Sequence, residues 1–432
     1  MQIPIERFEL DNGLRVVLSV DHTIPVVGVN LWYNVGSRNE LPGRTGLAHL
    51  FEHMMFQGSQ HVPETGHIAH VERVGGSLNG STWLDRTNFY DTVPSDRLEL
   101  VLWLESDRLA CFLPALTQEK LDNQREVVKN ERRQRVDNAP YGDWDEQLQA
   151  MLFPPDHPYH HSVIGSMEDL DAASLDDVAD FFRTYYAPNN AVLTLCGDFD
   201  PAEARRLVER WFGPIPRGPA VPPLPGRPVL EPLRLGREVR LTRRGGVPLP
   251  RLYLAWRIPV YGSPDYYAID VASELLAGGK SARLYRRLVR EQRLARSVAA
   301  FLLPVVTGAS AFIVRGNLAG GDDPAVLERA LLEDVERLAT ELAEPAEMER
   351  AITGLEARHL FELQKVNERA DQISMLTTYF DAPELVSTEL DRYRAVTAED
   401  VRRAAAEYLT ADNRAVLTYL PEAEADAPAE AA

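Results

Sequence analysis

The amino-acid sequence predicts an α+β protein with two homologous domains, each a largely antiparallel sheet with helices packed on it. Three observations support this prediction. The chain has 432 residues, which is long enough for two or three ordinary domains. A proline-rich stretch divides it near the middle, and each half begins with the same order of patterns: strand, strand, turn and helix. Long helical patterns then follow in both halves, separate from the strands, as in α+β domains.

The elements follow in order along each half. In the first half we expect strands at 15–19 and 26–35 and an apolar helix from Leu47. In the second half the matching elements are strands at 239–242 and 252–260 and a helix at 268–276. The longer helical patterns cover residues 97–110, 117–136, 175–185, 325–341 and 346–372.

The middle of the chain contains eight prolines between Pro214 and Pro232. Proline lacks an amide donor and has a fixed φ, so this stretch should be an extended linker and not a central strand or a helix. The predicted organisation is a first domain, a linker, a homologous second domain and a disordered acidic tail, at 1–213, 214–236, 237–420 and 421–432.

The composition excludes several classes of protein. Lysine and arginine total 46 and aspartate and glutamate total 65, which gives a formal net charge of −19. This acidic balance argues against nucleic acid as a partner and against docking on anionic membranes. No apolar run is long enough to span a bilayer. Peptides remain compatible partners.

The two cysteines and the N-terminus indicate the compartment. Cys111 and Cys196 lie in separate apolar contexts, so we expect unpaired thiols with packing roles in a reducing compartment. The first residues lack the basic and apolar regions of a signal peptide. The sequence therefore predicts a cytoplasmic protein.

The strongest chemical signal is the pentapeptide His49-Leu50-Phe51-Glu52-His53. Residues four apart lie on one face of a helix, so both histidines can bind one metal ion. Zinc favours an imidazole pair completed by a carboxylate, and a further carboxylate beside the ion can take a proton from an attacking water. The alternative is an ordinary core helix, but two histidines and an acid are costly to bury there without a ligand.

The site needs a third ligand, and the helical stretch 117–136 offers Glu119, Glu126 and Glu131. We expect the inward stripe of this helix to include Leu121, Val127 and Val128. Glu131 follows Val127 by four residues and Val128 by three, so it continues that stripe, whereas the other two glutamates point elsewhere. Glu131 is the predicted ligand. The alternative is a surface ion pair with one of its arginine neighbours.

These residues resemble the pitrilysin family of inverted-motif zinc peptidases, and most of all its half-length bacterial members, which are related to the mitochondrial processing peptidase. Glu131 lies 78 residues after His53, and the sequence around it, REVVKNERRQ, is similar to the family's second metal-binding segment. The resemblance implies two homologous domains, one Zn²⁺ per chain bound by His49, His53 and Glu131, and Glu52 as the general base. Many members have an acidic residue seven before the ligand glutamate, where this chain has Gln124.

The segment 75–91 reads as two strands joined by a turn. In the resembling family the matching strand is an exposed edge that pairs with the substrate backbone, so Asn79, Gly80 and Ser81 are candidate substrate-binding residues. An ordinary hairpin is the alternative. For the remaining histidines considered we expect packing or surface roles; these are His61, His67, His70, His157, His160 and His161.

The predicted function is a zinc-dependent endopeptidase subunit that hydrolyses peptide bonds in peptides or unfolded segments. Two alternatives stay open: a peptidase that removes the leader from a modified peptide, and a non-catalytic subunit like the core proteins of respiratory complexes. The intact set of His49, Glu52, His53 and Glu131 argues against the second alternative.

The resemblance also predicts a partner. The second half of an active member normally supplies an arginine and a tyrosine, seven residues apart, to the substrate carbonyl. Here the matching positions are Val289 and Arg296, with Arg290 one residue further on, and the matching helix has no metal motif. We therefore expect a heterodimer in which a homologous chain supplies the Arg/Tyr pair. A homodimer that uses Arg290 and Arg296 is the alternative.

Overall fold

The computed structural model describes residues 2–320 and 323–422. Within these residues the strands are β1 (Glu6–Glu9), β2 (Arg15–Val20), β3 (Val26–Tyr33), β4 (Ser77–Thr82), β5 (Thr87–Pro94), β6 (Ala191–Gly197), β7 (Val239–Gly245), β8 (Arg251–Ile258), β9 (Ala295–Leu303), β10 (Ser310–Leu318) and β11 (Arg414–Pro421).

The helices are α1 (Leu47–Met54), α2 (Gly66–Arg73), α3 (Leu98–Cys111), α4 (Gln118–Arg132), α5 (Trp144–Leu152), α6 (Met167–Ala172), α7 (Leu175–Tyr185), α8 (Pro201–Phe212), α9 (Pro264–Ala277), α10 (Pro324–Thr340), α11 (Pro345–Leu363), α12 (Val366–Phe380), α13 (Glu389–Arg394) and α14 (Ala398–Tyr408). The helix patterns at 97–110, 175–185 and 325–341 therefore appear within one residue of their expected positions.

The chain forms two compact units. The first contains Met1–Arg132, Asp156–Arg227 and Arg358–Leu390. Its sheet has the order β1-β2-β6-β3-β5-β4, with β2 and β6 parallel and every other neighbouring pair antiparallel. Apolar residues of α1, α3, α7 and α8 form the core on one face, while α12 packs on the other face, against Trp32 and Val192.

The second unit contains Arg133–Pro155, Pro228–Ala357 and Asp391–Ala432. Its sheet has the order β7-β11-β8-β10-β9, again with a single parallel pair, β7 and β11. Helices α9, α10 and α14 build its core. On the other face of the sheet the α5 residue Trp144 stacks on Tyr253, with ring centroids 5.2 Å apart.

The two sheets confirm the predicted duplication. If β1 is set aside, both have the same order and the same single parallel pair, with β2, β6, β3, β5 and β4 matched by β7, β11, β8, β10 and β9. Each α+β unit therefore has a largely antiparallel sheet covered by helices, as the sequence predicts.

The unit boundaries differ from the contiguous ranges 1–213 and 237–420. Each unit takes one segment from the other half of the sequence: Arg358–Leu390 joins the first unit and Arg133–Pro155 joins the second. The reason is packing, because α12 covers the free face of the first sheet and α5 covers that of the second. Elsewhere the first unit ends at Arg227 and the second begins at Pro228, inside the proline-rich stretch 214–236. This stretch has neither helix nor strand.

Three smaller expectations also need correction. The pattern at 346–372 is not one helix but α11 and α12, because Lys365 between them is extended with φ −86° and ψ 130°. Helix α4 ends at Arg132 and continues as a π-helical turn over Arg133–Asp137. The predicted tail at 421–432 begins too early, since Pro421 pairs within β11, and residues 423–432 lie outside the described residues.

Candidate metal centre

Helix α1 is fixed at its N-terminus by a buried carboxylate. Glu40 accepts hydrogen bonds from the amides of Gly46 (2.9 Å) and Ala48 (2.7 Å), two donors that have no partner within the helix. Gly46 itself has φ +84°, a left-handed conformation that favours glycine. His161 also contacts this carboxylate, with Nε2 2.9 Å from Oε2. These contacts determine where the H-x-x-E-H helix begins.

The apolar side of α1 determines where its polar side points. Five residues of this helix are buried in the core of the first unit: Leu47, Ala48, Leu50, Phe51 and Met54. His49, Glu52 and His53 are the residues of α1 that remain partly accessible. The helical period therefore separates the core face from the face with metal-binding side chains.

Helix α4 brings Glu131 to the same place. Its buried residues are Leu121, Gln124 and Val128, and Glu131 continues this face at intervals of three or four. The expectation that Val127 belongs to the inward stripe is wrong, since that side chain is 41% exposed. The polar residue Gln124 is buried on this face instead. A pattern of apolar residues alone does not reveal that.

The three predicted ligands converge. The Glu131 Oε2 atom lies 3.4 Å from His53 Nε2 and 3.7 Å from His49 Nε2. Zinc bonds to nitrogen and oxygen are about 2.1 Å long, so two donors at a tetrahedral centre stand roughly 3.4 Å apart. Two imidazoles and one carboxylate are also the donor types that zinc prefers in catalytic sites. Both the spacing and the chemistry of the donors fit a zinc ion.

Glu52 has a different set of contacts from the three predicted ligands. Its Oε2 accepts a 2.6 Å hydrogen bond from the Thr82 hydroxyl on β4. Burial raises the pKa of Glu52, and Thr82 and His53 offset only part of that effect. Thr82 is a site residue that the sequence analysis missed, although it follows Gly80 by two residues and so shares its face of β4.

Strand β4 lies at the end of the first sheet and passes close to Glu52. A Cβ atom on Gly80 would be 3.2 Å from Glu52 Oε1 and 3.1 Å from both Phe56 and Phe89, so a side chain would crowd the carboxylate. Ser81 points to the other face, where its hydroxyl donates to Asn88 at 2.7 Å. Of the three candidate substrate residues, Gly80 is therefore the one beside Glu52.

A separate group of charged residues lies buried nearby. His67 Nε2 is 3.4 Å from Asp91 and 3.6 Å from Glu105, and Glu105 pairs with Arg108. Burial lowers the pKa of His67 to about 3 and raises that of Asp91 to about 6. The Arg108 guanidinium also lies 4.1 Å from the centre of the Phe89 ring. Since the group contains a permanent cation and no solvent-facing member, its role is structural.

The second unit contributes no comparable set of donors among the described residues. All three groups of histidine, cysteine and acidic side chains with ligand-like spacing belong to the first unit. Helix α9, which matches α1 in chain order, has no histidine. Cys111 and Cys196 are free thiols, as expected from the sequence.

Two duplicated α+β domains, one of which presents an inverted H-x-x-E-H helix opposite a ligand glutamate, define a class of zinc metallopeptidase. The chain belongs to the insulinase family, peptidase family M16: the family model of that name matches residues 15–154. A second model, described as the peptidase M16 inactive domain, matches residues 172–355.

Named relatives agree with this assignment. The chain is 30% identical to the zinc protease PqqE of Helicobacter pylori over 389 residues, which cover 89% of this chain and 83% of the relative. It is 27% identical to the mitochondrial-processing peptidase subunit beta of Blastocladiella emersonii, over 95% of this chain and 88% of the relative. A crystal structure of a protease from Helicobacter pylori superposes with a TM-score of 0.90 at 25% identity, over 97% of this chain and all of that one.

No helix among the described residues combines the length and the apolar character needed to cross a membrane. This agrees with the absence of a long apolar run in the sequence.

Proposed function

We propose that the chain is a zinc-dependent endopeptidase subunit that hydrolyses peptide bonds in peptides or unfolded segments. The observation on which this proposal depends is the convergence of His49, His53 and Glu131, with Glu131 Oε2 3.7 Å and 3.4 Å from the two imidazole nitrogens. One zinc ion per chain would bind there. When bound, it supplies a Lewis acid that polarises the scissile carbonyl and lowers the pKa of a water molecule.

Glu52 is the proposed general base, which takes the proton from the attacking water. The Thr82 hydroxyl orients the carboxylate through its 2.6 Å hydrogen bond. Because the two groups belong to α1 and β4, the packing of a helix against a strand sets the position of the base.

The edge of β4 is the proposed substrate-binding element, through Asn79, Gly80 and Ser81. An extended peptide that adds to this edge forms main-chain hydrogen bonds, which bind many sequences. The absence of a side chain at Gly80 leaves room between the strand and Glu52. This arrangement favours unfolded peptide segments, which can adopt a strand conformation.

The complete set of three ligands and Glu52 favours a catalytic role over that of a non-catalytic core protein. A purely structural subunit has no need to keep two histidines and a glutamate at ligand spacing, with a second carboxylate beside them. Removal of a leader from a modified peptide uses the same chemistry, so it stays an alternative for the substrate. The cytoplasmic location also stays a prediction.

A homologous partner chain is part of the proposal. Val289, at the position expected for the arginine, is half-buried and packs against the core of its unit. Arg290 and Arg296 are both exposed. The relative from Blastocladiella is itself named as a subunit. A heterodimer would supply the missing Arg/Tyr pair, and a homodimer that uses Arg290 and Arg296 is the alternative.

Metal analysis of the purified chain tests the zinc site. A chain prepared without chelators should contain about one zinc ion. His53→Ala and Glu131→Gln should each lose that ion and keep the fold, as judged by circular dichroism. Glu119→Gln, which changes an exposed glutamate of the same helix, is the control and should retain it. A chain that contains no zinc and cannot be loaded with it contradicts the assignment.

A further inference from the structure

A second group of metal-ligand side chains lies near the end of α3 and shares no residue with the H-x-x-E-H motif. It consists of His61, Asp107 and Cys111, whose nearest donor atoms all lie within 4.8 Å of one another. His61 Nδ1 is 2.5 Å from Asp107 Oδ1, and the Cys111 thiol lies beside the same carboxylate. The sequence alone predicts a structural role for His61 and a packing role for Cys111.

The backbone holds these three donors in place. Asp107 and Cys111 are four residues apart on α3, so both side chains lie on one face of that helix. The segment that contains His61 is attached to the end of the same helix by the Gln60 amide, which donates to the Cys111 carbonyl at 2.9 Å. The Ser59 hydroxyl donates to Asp107. The group is therefore preformed, which reduces the entropic cost of binding a ligand.

The group is also accessible. The His61 side chain is 56% exposed, whereas that of Asp107 is only 5% exposed. Cys111 is partly accessible. An ion can therefore enter from solvent on the His61 side, and the opposite side of the site is closed by α3. The buried group around His67 lacks such an opening and contains Arg108, so it is a poor cation site by comparison.

From this geometry we propose that His61, Asp107 and Cys111 form a second zinc site, which the H-x-x-E-H chemistry does not require. One thiolate, one imidazole and one carboxylate are donors that zinc accepts together, and water can complete a tetrahedron. The thiolate excludes magnesium and calcium, which bind oxygen donors. Tetrahedral donors stand roughly 3.5 Å apart, so the side chains need only small rotations to reach zinc.

The site should bind zinc more weakly than the catalytic centre. Asp107 already accepts a hydrogen bond from the Ser59 hydroxyl and lies 2.5 Å from the His61 ring nitrogen, so zinc has to replace these contacts before it can bind. We therefore expect the second equivalent to bind only when metal is added to the purified chain. Occupancy would connect the segment after α1 to the end of α3 and stabilise the first unit.

Cobalt titration of the full chain separates the two sites. A cobalt ion bound by a thiolate has a sulfur-to-metal charge-transfer band in the near ultraviolet, and the predicted catalytic ligands include no sulfur. The metal-free chain, kept reduced by a phosphine, should bind two Co²⁺ per chain at saturation and develop a band of the intensity expected for one thiolate-bound Co²⁺, and added Zn²⁺ should abolish it. The band should persist in Cys196→Ala, which removes the other thiol, and in His53→Ala, which removes the catalytic site.

Cys111→Ser should abolish the band and still bind the catalytic metal, which shows that the variant is folded. His61→Ala, at an exposed position, should weaken Co²⁺ binding at this site roughly tenfold or more. Failure of the wild-type chain to develop the band, or survival of the band in Cys111→Ser, overturns the proposal. Neither result affects the catalytic site, whose test is the zinc lost in His53→Ala.

Discussion

The side chains of α1 that face the metal centre have unlike surroundings, although they belong to one pentapeptide. His49 and His53 face Glu131, which leaves their Nε2 atoms 3.7 Å and 3.4 Å from its carboxylate. Glu52 faces β4 and accepts a hydrogen bond from Thr82. This difference in contacts explains why two kinds of residue in one motif have different proposed roles, as ligands and as a base.

Thr82→Val tests whether this hydrogen bond orients Glu52. Valine has nearly the same shape as threonine but cannot donate, and a hydrogen bond to a charged group contributes about 1.5–3 kcal/mol. We expect kcat/KM for a peptide substrate to fall about tenfold to a hundredfold while the zinc content stays at the wild-type level. Thr340→Val, at an exposed threonine of α10, is the control and should lose much less activity. Equal losses in the two variants contradict a specific role for Thr82.

Asp91 gives a prediction about stability and pH. Burial raises its pKa from about 3.8 to about 6, among His67, Glu105 and Arg108. The folded chain therefore binds this proton more tightly than the unfolded chain does, so stability decreases as the pH rises from about 4 to 6. The Asp91→Asn side chain does not ionise, so the variant does not lose this stability as the pH rises. Relative to the wild type, the variant should gain up to about 3 kcal/mol between pH 4 and pH 7.

Urea denaturation of both proteins at several pH values measures this difference. The test is whether the difference in unfolding free energy between the two proteins changes with pH. Loss of the Asp91 contacts shifts that difference by the same amount at every pH. A stability difference that does not vary with pH shows that Asp91 has an ordinary pKa in the folded chain.

Residue types and their spacing suffice to predict which side chains come together at the candidate metal centre, because a metal ion demands particular donors at helical intervals. They do not predict Thr82, since a threonine in a strand has no distinctive pattern. They also misplace Val127, because the apolar side chain is exposed and the polar Gln124 is buried. Such exchanges depend on which groups pack against a helix, and a single sequence does not contain that information.

At the level of secondary structure elements, the position of α1 depends on contacts outside the helix. Glu40 accepts hydrogen bonds from two amides of its first turn, and His161 lies against the same carboxylate. Burial lowers the pKa of His161, but the hydrogen bond and the charge of Glu40 outweigh this and raise it. A buried carboxylate at a helix N-terminus also interacts favourably with the helix dipole.

Glu40→Gln tests this capping interaction. The amide retains one acceptor oxygen but loses the negative charge and the second acceptor, so we expect a loss of about 1–2 kcal/mol in the free energy of unfolding. Zinc affinity should also decrease, since α1 contains both histidine ligands. Glu64→Gln, at an exposed acid in the segment after α1, is the control and should change stability by less than about 0.5 kcal/mol. An unchanged stability in Glu40→Gln contradicts the capping role.

Strand and helix patterns predict most elements because hydrophobic periodicity reflects burial on one face. The break between α11 and α12 is not visible in the sequence, since apolar residues continue across Lys365. Strand β4 is predicted as part of a hairpin, but its place at the end of the sheet follows from the resemblance and from the topology. Its residues alone do not distinguish an edge strand from a central one.

At the level of the whole molecule, the two units share a sheet topology but not the residues of a metal site. The duplication is visible in the sequence because both halves repeat the same order of elements. The exchange of α5 and α12 between the sequence halves is not visible, because an amphipathic helix does not specify which sheet it covers. Long-range packing of this kind requires the folded structure.

The proposed need for a homologous partner chain is a property of the whole molecule. If the second unit lacks the donors for the substrate carbonyl, the chain alone should cleave peptides slowly. Addition of a homologous chain that has the Arg/Tyr pair should raise the rate about 10²–10³-fold, the effect of one such donor. A peptidase assay with and without the product of a neighbouring homologous gene measures this. Loss of activity in Arg290→Ala or Arg296→Ala would instead favour the homodimer.

Full activity of the chain alone, unaffected by both arginine substitutions, contradicts both forms of the partner prediction. In that case another group of the chain stabilises the substrate carbonyl. The zinc site and the base are not affected by this outcome.

The central claim is that His49, His53 and Glu131 bind zinc while Glu52 acts as the base. The most direct test is Glu52→Gln, with zinc content and peptide cleavage measured on the same sample, in the presence of the partner if one is required. The account predicts one zinc per chain, as in the wild type, with turnover reduced by at least about 10²-fold. Loss of the zinc would make Glu52 a ligand, and wild-type turnover would exclude it as the base; either result contradicts the account.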